Sequence, residues 1–157
     1  MYCCEAESEA AFIYHLAVNY VSRGYFFYVK GQIPWDKDPA KTDAKIIGHY
    51  GIDVSKWTRF RQRQRGEAGI QYLRHKHQFV IVATEGEHRF LEEEANVIQD
   101  IRRLPLKAAR YSIAFRVGQP KGHVSVRIEK REFLKIKATL QKKCLRMSVE
   151  DLKTLFL

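Results

Sequence analysis

The sequence is poor in cysteine, with three in 157 residues, and it lacks long apolar runs. Cys3 and Cys4 are adjacent and Cys144 lies in a helical pattern, which excludes a disulfide framework. The longest apolar runs, such as 79–83, are far shorter than the ~20 residues that cross a bilayer. The acidic N-terminal segment lacks the positive start of a signal peptide. These absences predict a soluble protein of the reducing cytoplasm.

Recognisable catalytic motifs are missing as well. The sequence contains no phosphate-binding GxxxxGK[ST], no GxSxG, no HExxH and no paired CxxC. Single-strand endonucleases of mobile DNA carry two histidines around one apolar residue, whereas His75 and His77 flank a lysine. Two histidines in a polar turn without a cysteine or carboxylate neighbour indicate exposed residues rather than metal ligands. We therefore expect no metal and no other cofactor, and no catalytic residue can be assigned.

Positive charge is what the sequence has in excess. Its 28 basic and 18 acidic residues give a formal charge of +10 and a pI near 9.6. Residues 55–77 carry seven basic and one acidic side chain, and residues 102–146 carry fourteen and two. The acidic segment 78–101 separates these two basic blocks. Such a surface attracts polyanions, which are nucleic acid first and then acidic lipid or an acidic protein.

Hydrophobic periodicity and capping residues predict an α+β fold in a single domain over residues 1–157. Asp38 before Pro39 starts one helix, which Gly51 ends, and Ser55 starts the next at 56–65. We expect an antiparallel sheet of about six strands built from hairpins, with helices packed on one side. Two hairpins and a final long helix stand out, at 69–74 with 78–84, at 111–117 with 123–128, and at 131–147.

The N-terminal region predicts a third hairpin. Apolar residues alternate over 12–21, which favours a strand, although a helix continuing from the Glu/Ala-rich start is the alternative. The following RGYFFYVK partly resembles the aromatic strand of RNA-recognition domains, in which exposed rings stack on bases. Phe26 and Lys30 depart from that signature, and a buried aromatic strand is the favoured interpretation.

Two helices are expected to place apolar residues in the core. Trp57 and Phe60 lie three apart and can face inward together. The last long helix has a 3.6-residue apolar stripe, and lysines and an arginine occupy its other face. The residues of that stripe are Phe133, Ile136, Leu140 and Cys144.

The candidate ligand contacts are arginines, because the planar guanidinium binds two phosphate oxygens at once. Four of them are spaced by two residues, which a helix spreads over two flanks. A basic hairpin that can enter a groove supplies two others. The predicted nucleic-acid contacts are Arg59, Arg61, Arg63, Arg65, Arg74, Lys76, Arg116 and Arg127.

Five segments carry a resemblance that extends over most of the chain: YHLAVNYVSRGYFFYVKGQIP, KDPAKTDAKI, QYLRHKHQFVIVATEGEHRF, IRRLPLK and HVSVRIEKREF. They resemble uncharacterised bacterial proteins carried on integron gene cassettes and other mobile elements. The resemblance implies a bacterial origin, and it brings no activity and no catalytic residues to this chain.

Binding of nucleic acid through its phosphate backbone is the leading functional hypothesis, and the sequence does not distinguish DNA from RNA. One alternative is an enzyme that acts on nucleic acid or a phosphorylated substrate. In that case Glu129 and Lys130 resemble part of a metal-dependent nuclease site, with Asp100 as the acidic partner. Another alternative is an oligomeric adaptor for an acidic protein. A homodimer is compatible with each of these, and we expect no contact with membranes.

Overall fold

The computed structural model describes residues 2–118 and 121–156. Seven strands and six α-helices lie within these ranges, and the predicted α+β class with antiparallel sheets is confirmed. The helices are α1 Glu9–Tyr14, α2 Pro39–Tyr50, α3 Lys56–Gln64, α4 Arg89–Glu93, α5 Lys130–Cys144 and α6 Val149–Phe156. The strands are β1 Phe27–Gln32, β2 Ile70–His75, β3 Gln78–Ala83, β4 Gln99–Asp100, β5 Leu106–Ala108, β6 Tyr111–Arg116 and β7 His123–Ile128.

The strands form two sheets. The larger sheet has the order β2-β3-β1-β4 and the smaller one β5-β6-β7, and every pair is antiparallel. Two of the three predicted hairpins are present, as β2–β3 and β6–β7. Residues 119 and 120, in the predicted turn of the second hairpin, lie outside the described residues.

Helices cover both faces of the larger sheet, whereas the sequence predicted helices on one side. Strand β3 shows why, because its apolar run is continuous. Val80 and Val82 pack into a core with α1, while Ile81 and Ala83 pack into a second core. The first core also includes residues of β5 and β6, and the second includes residues of α2 and α4. A strand that is apolar on both faces needs a covering layer on each.

The strand predicted at 12–21 is wrong, and the alternative helix is correct. Helix α1 starts at Ser8, whose Oγ accepts a hydrogen bond from the Ala11 N–H at 3.1 Å. It continues as a π-helix, His15–Tyr20, and a 3₁₀ turn, Val21–Arg23. Phe12 and Leu16 are both fully buried, and their spacing of four is that of a helix as well as of an alternating strand. The predicted N-terminal hairpin therefore does not form, and β1 pairs with β3 and β4 instead.

The apolar stripes predicted for two helices do not enter the core. Trp57 and Phe60 on α3 are 74% and 57% exposed. Helix α5 has no buried residue among those described, and its Phe133 and Ile136 are about half exposed. Periodicity identifies the apolar face of a helix, but it does not say whether another element covers that face. In the described ranges, none of the helices combines the length and the apolar character that crossing a membrane requires.

Candidate nucleic-acid interface

Helix α3 displays the arginine-rich segment on the surface. The Ser55 Oγ accepts a hydrogen bond from the Thr58 N–H at 3.1 Å. This cap fixes the residue at which the helix begins and therefore which residues share each of its sides. Arg59 and Arg63, four residues apart, lie on one flank, and Arg61 and Arg65 lie on the other. The sequence predicted this division. No residue of α3 is fully buried, and only Arg59 and Gln62 are partly covered, so most of the helix surface is available for contact.

A cavity of about 710 Å³ lies between α3 and the helical segment 15–23. Four cationic side chains line it, and Asp53 is the one carboxylate among its lining residues. Aromatic rings and neutral polar groups complete the wall. The cations are Arg23, Lys56, Arg59 and Arg63, the aromatic residues are Tyr2, Tyr20, Tyr25 and Phe60, and the neutral polar residues include Asn19 and Gln71.

The cavity arginines are only weakly engaged by the protein. Arg59 Nη2 donates to the Ile52 carbonyl at 3.4 Å, and Arg63 Nη2 donates to the Tyr25 hydroxyl at 3.5 Å. The Nε of Arg59 is buried without a hydrogen-bond partner among the described residues. Within the same residues, neither arginine nor Arg23 forms an ion pair. A buried N–H without a partner is costly.

Two tyrosines of the cavity wall, Tyr2 and Tyr20, remain protonated at neutral pH. Burial raises the pKa of the Tyr20 phenol, and burial also raises the pKa of Tyr2. The Tyr2 hydroxyl is held against β2. It lies 2.8 Å from Gln71 Oε1 and accepts a hydrogen bond from the Tyr72 N–H at 2.9 Å. A neutral phenol offers a hydrogen bond to a bound anion, whereas a nucleophilic tyrosine would need a lowered pKa.

The aromatic residues of the segment RGYFFYVK, which leads into β1, differ from the exposed rings of α3. Tyr25 and Tyr28 are buried, as the favoured interpretation of that segment predicted. Phe26 lies under the Arg102 guanidinium, whose carbon is 4.7 Å from the ring centroid. Arg102 therefore covers one face of the Phe26 ring. The exposed rings Trp57 and Phe60 are instead on α3, beside the arginines.

One predicted contact is wrong, because Arg74 is buried and structural. Its Nε lies 2.9 Å from both carboxylate oxygens of Asp43, and its Nη1 donates to Glu5 at 3.1 Å. Only 5% of Arg74 is exposed, so it cannot reach a ligand. Residues of β2 that precede Arg74 pack into the two cores, one on each face of the sheet. Neither face of this strand is therefore free for a surface arginine.

The remaining predicted contacts are exposed but lie apart from the cavity. Lys76 occupies the β2–β3 turn with a φ of +55°. Arg116 and Arg127 lie on β6 and β7, in the other sheet. None of the three is among the described residues that line the cavity. Their contribution to binding stays a prediction.

The residues considered for catalysis are engaged elsewhere. Asp100 is bound by Arg102, with Oδ2 to Nη2 at 2.8 Å, and this hydrogen-bonded partner lowers the pKa of Asp100. Glu129 pairs with Lys107 at 3.5 Å. His75 Nδ1 and His77 Nδ1 lie near the carbonyl oxygens of Ala6 and Ile33, at 3.1 and 3.2 Å. The described part of the chain contains no cluster of three potential metal ligands.

Sequence analysis missed the side of the cavity that 15–23 supplies. His15, Asn19 and Arg23 all line the cavity, and the spacing between them is four residues. That spacing was a signal, since residues four apart share one side of a helix. Reading 12–21 as a strand concealed it, because a strand would not bring these three residues to one cavity beside α3.

Beyond Arg23 and Arg63 the cavity meets a shallower groove of about 410 Å³. Arg23 and Arg63 line both the cavity and the groove, and the groove also contains Glu67 and Glu85. The excess of positive charge is therefore confined to the cavity side.

Comparison with protein-family models, curated proteins and solved structures finds no match to this chain, so the resemblance to integron-cassette proteins stays a prediction.

Proposed function

We propose that the protein binds single-stranded nucleic acid along α3. Phosphates contact the arginines on the two flanks of the helix, and unpaired bases stack on Trp57 and Phe60. The observation that carries the proposal is the exposure of these two rings, 74% and 57%, on a helix that also presents three arginines, with Arg65 at its C-cap. Proteins that bind single strands combine these two features, a cationic track and aromatic platforms.

The exposed rings have no packing role that explains them. Neither ring belongs to the two buried cores or to the apolar residues packed against those cores. Large exposed apolar side chains next to charged groups mark interaction sites more often than isolated ones do. A base stacked on an aromatic ring contributes about 1–3 kcal/mol, so two rings are sufficient to dominate the affinity of a short strand.

The same rings favour a single strand over a duplex. In a duplex the bases are already stacked and paired, and an aromatic ring cannot reach their faces without an energetic cost. The arginines alone do not discriminate, because both forms present phosphates. The ratio of the two affinities therefore measures the contribution of the rings.

The experiment is fluorescence anisotropy with labelled single-stranded DNA, RNA and duplex DNA of about 12 nucleotides, a length that single-strand sites accommodate. We expect tight binding of a single strand and weaker binding of the duplex. Raising the salt from about 50 to 200 mM should reduce the affinity by orders of magnitude, because bound phosphates release counterions. The preference between DNA and RNA would identify the ligand.

Matched variants separate the two kinds of contact. Trp57→Ala with Phe60→Ala should weaken single-strand binding roughly tenfold or more while leaving the salt dependence unchanged. Arg61→Ala with Arg63→Ala should weaken all binding and reduce the salt dependence. The control is Lys41→Ala with Lys45→Ala, which removes the same charge from exposed positions on α2. No binding at the lower salt, or loss in the control equal to that in the arginine variant, would refute the proposal.

A further inference from the structure

We infer that the cavity beside α3 receives the phosphate monoester at one end of a bound strand, an inference that rests on the proposed function. The first reason is the charge of the cavity. Arg23, Lys56, Arg59 and Arg63 line it against the single carboxylate of Asp53. A phosphodiester inside a strand carries one negative charge, whereas a terminal phosphate carries close to two at neutral pH. The surplus of cations suits the terminal group.

The second reason is the unused hydrogen-bonding capacity of the cavity. The Nη2 contacts of Arg59 and Arg63 with the protein are long, at 3.4 and 3.5 Å. A monoester presents three oxygens outside its ester link, and guanidinium groups bind such oxygens in pairs. The Tyr20 phenol, neutral because of its burial, is a further donor in the wall. These donors exceed what a bridging diester with two free oxygens can use.

The third reason is the size and shape of the space. At about 710 Å³ the cavity is far larger than a phosphate and falls within the range of about 300–1,000 Å³ of small-molecule sites. The rest of the terminal nucleotide can therefore enter with its phosphate. Asn19 and Gln71 offer amide groups to a base, and Tyr25 and Phe60 offer rings.

The fourth reason is that the surplus of lining cations is smaller beyond the cavity. The cavity has four cations against Asp53, whereas the groove beyond Arg23 and Arg63 is lined by Glu67 and Glu85 against those two shared arginines. The groove therefore attracts a further phosphate less than the cavity does. We expect a strand that runs along α3 to end in the cavity.

The helix beside the cavity is unusual at the same place. His15, Asn19 and Tyr20 line the cavity and all belong to the π-helical segment His15–Tyr20. The wider turn of a π-helix is rare, and it occurs frequently at functional sites because it redirects side chains. Here it places three polar side chains opposite the arginines of α3.

The test compares three otherwise identical single strands of about 12 nucleotides, labelled on an internal base. One carries a 5′-phosphate, one a 3′-phosphate and one hydroxyls at both ends. We expect one phosphorylated strand to bind about tenfold tighter than the hydroxyl-ended strand, as one additional charge-assisted contact would give. The end that shows the preference defines the direction of the strand. Equal affinities for all three strands would overturn the inference and leave the proposed function intact.

A pair of variants assigns the preference to the cavity. Arg23→Gln removes a cation that lines the cavity but does not lie on α3, so the ratio of phosphorylated to hydroxyl-ended affinity should fall towards one. Arg61→Gln removes a cation from the opposite flank of α3 and should weaken both strands by the same factor, leaving the ratio unchanged. A ratio that falls in Arg61→Gln and persists in Arg23→Gln would also overturn the inference. Both arginines are exposed, which allows either variant to fold.

Discussion

The Nε of Arg74 lies 2.9 Å from each carboxylate oxygen of Asp43, and both side chains are buried. The same carboxylate accepts a hydrogen bond from the Tyr72 hydroxyl at 2.5 Å, and Glu5 binds the other side of the guanidinium. This polar cluster joins α2 to β2 and to the N-terminal segment. Because burial removes both charges from water, each depends on the other for compensation.

The first prediction concerns this buried pair. Arg74→Ala should lower the free energy of unfolding by about 3–5 kcal/mol, because it leaves the Asp43 carboxylate buried without its cation. Removing both partners, with Asp43→Ala added, should cost clearly less than the sum of the two single variants. Urea unfolding followed by circular dichroism measures all three. Arg127→Ala, an exposed position on β7, is the control and should change stability by less than about 0.5 kcal/mol. Additive effects would contradict the coupling.

Sequence patterns identified the elements whose ends are defined chemically. Asp38, Gly51 and Ser55 cap the helices they were predicted to cap, since a cap requires only local backbone and side-chain groups. The two hairpins that form were predicted from signals that are equally local in the sequence. The strand prediction for 12–21 failed because the spacing of Phe12 and Leu16 fits both a helix and a strand. Only the Ser8 cap and the packing of α1 against β2 distinguish the two.

The candidate site could be predicted only in part, for a related reason. The density of arginine in 59–65 predicted an anion-binding surface, and Arg59, Arg61, Arg63 and Arg65 are at least partly exposed in the structure. Their binding of an anion stays a prediction. The same logic assigned Arg74 to the surface, because charge alone does not show that Asp43, thirty-one residues earlier, will bind it. It also could not place Trp57 outside the core. Burial depends on which elements meet, and sequence spacing does not contain that information.

The second prediction uses the two tryptophans, Trp35 and Trp57, which are 76% and 74% exposed. If a base stacks on Trp57, single-stranded DNA should quench the tryptophan fluorescence of the protein. Trp57→Phe should lose most of that quenching, whereas Trp35→Phe should retain it. Each substitution should change the free energy of unfolding by less than about 0.5 kcal/mol, because neither indole is in the core. Quenching that survives in Trp57→Phe would place the bases elsewhere.

The third prediction is a pH dependence that originates at His88. Its Nδ1 accepts a hydrogen bond from the Phe90 N–H at 3.0 Å, which caps α4 and requires a neutral ring. Burial, with the neighbouring Arg89, lowers the pKa of His88 below its ordinary value of 6.5. The unfolded chain therefore takes up a proton more readily than the folded one. The stabilisation is complete above about pH 6.5 and is lost as the pH falls through the folded pKa.

The measurement compares the free energy of unfolding at about pH 7.5 and 5.5, on either side of the ordinary histidine pKa. His88→Asn retains a capping acceptor that does not titrate in this range. The natural chain should therefore lose more stability on acidification than His88→Asn does. The difference between the two chains cancels the contributions of all other titratable groups. Identical losses in both chains would show that His88 does not act as described.

The last prediction contrasts two glycines. Gly86 has a φ of +135°, and a Cβ there would lie 2.6 Å from the Ala68 nitrogen and 2.6 Å from the Gly66 carbonyl oxygen. Both are backbone atoms, so no side-chain rotation relieves the contact. Gly86→Ala should cost about 3 kcal/mol or more, since strain from the φ angle and the overlap act together. Chemical denaturation reports the change.

Gly48 is the matched control, because its Cβ would meet nothing within 4 Å and it lies inside α2. Gly48→Ala should raise the free energy of unfolding by about 1 kcal/mol, the difference in helix propensity between the two residues. The same chemical change thus has opposite signs at the two positions. Two backbone hydrogen bonds join the loop at 85–87 to 66–68, from the Ala68 N–H to the Glu87 carbonyl and from the Glu87 N–H to the Gly66 carbonyl. If Gly86→Ala were tolerated as well as Gly48→Ala, the two backbones could not lie as close together as these bonds require.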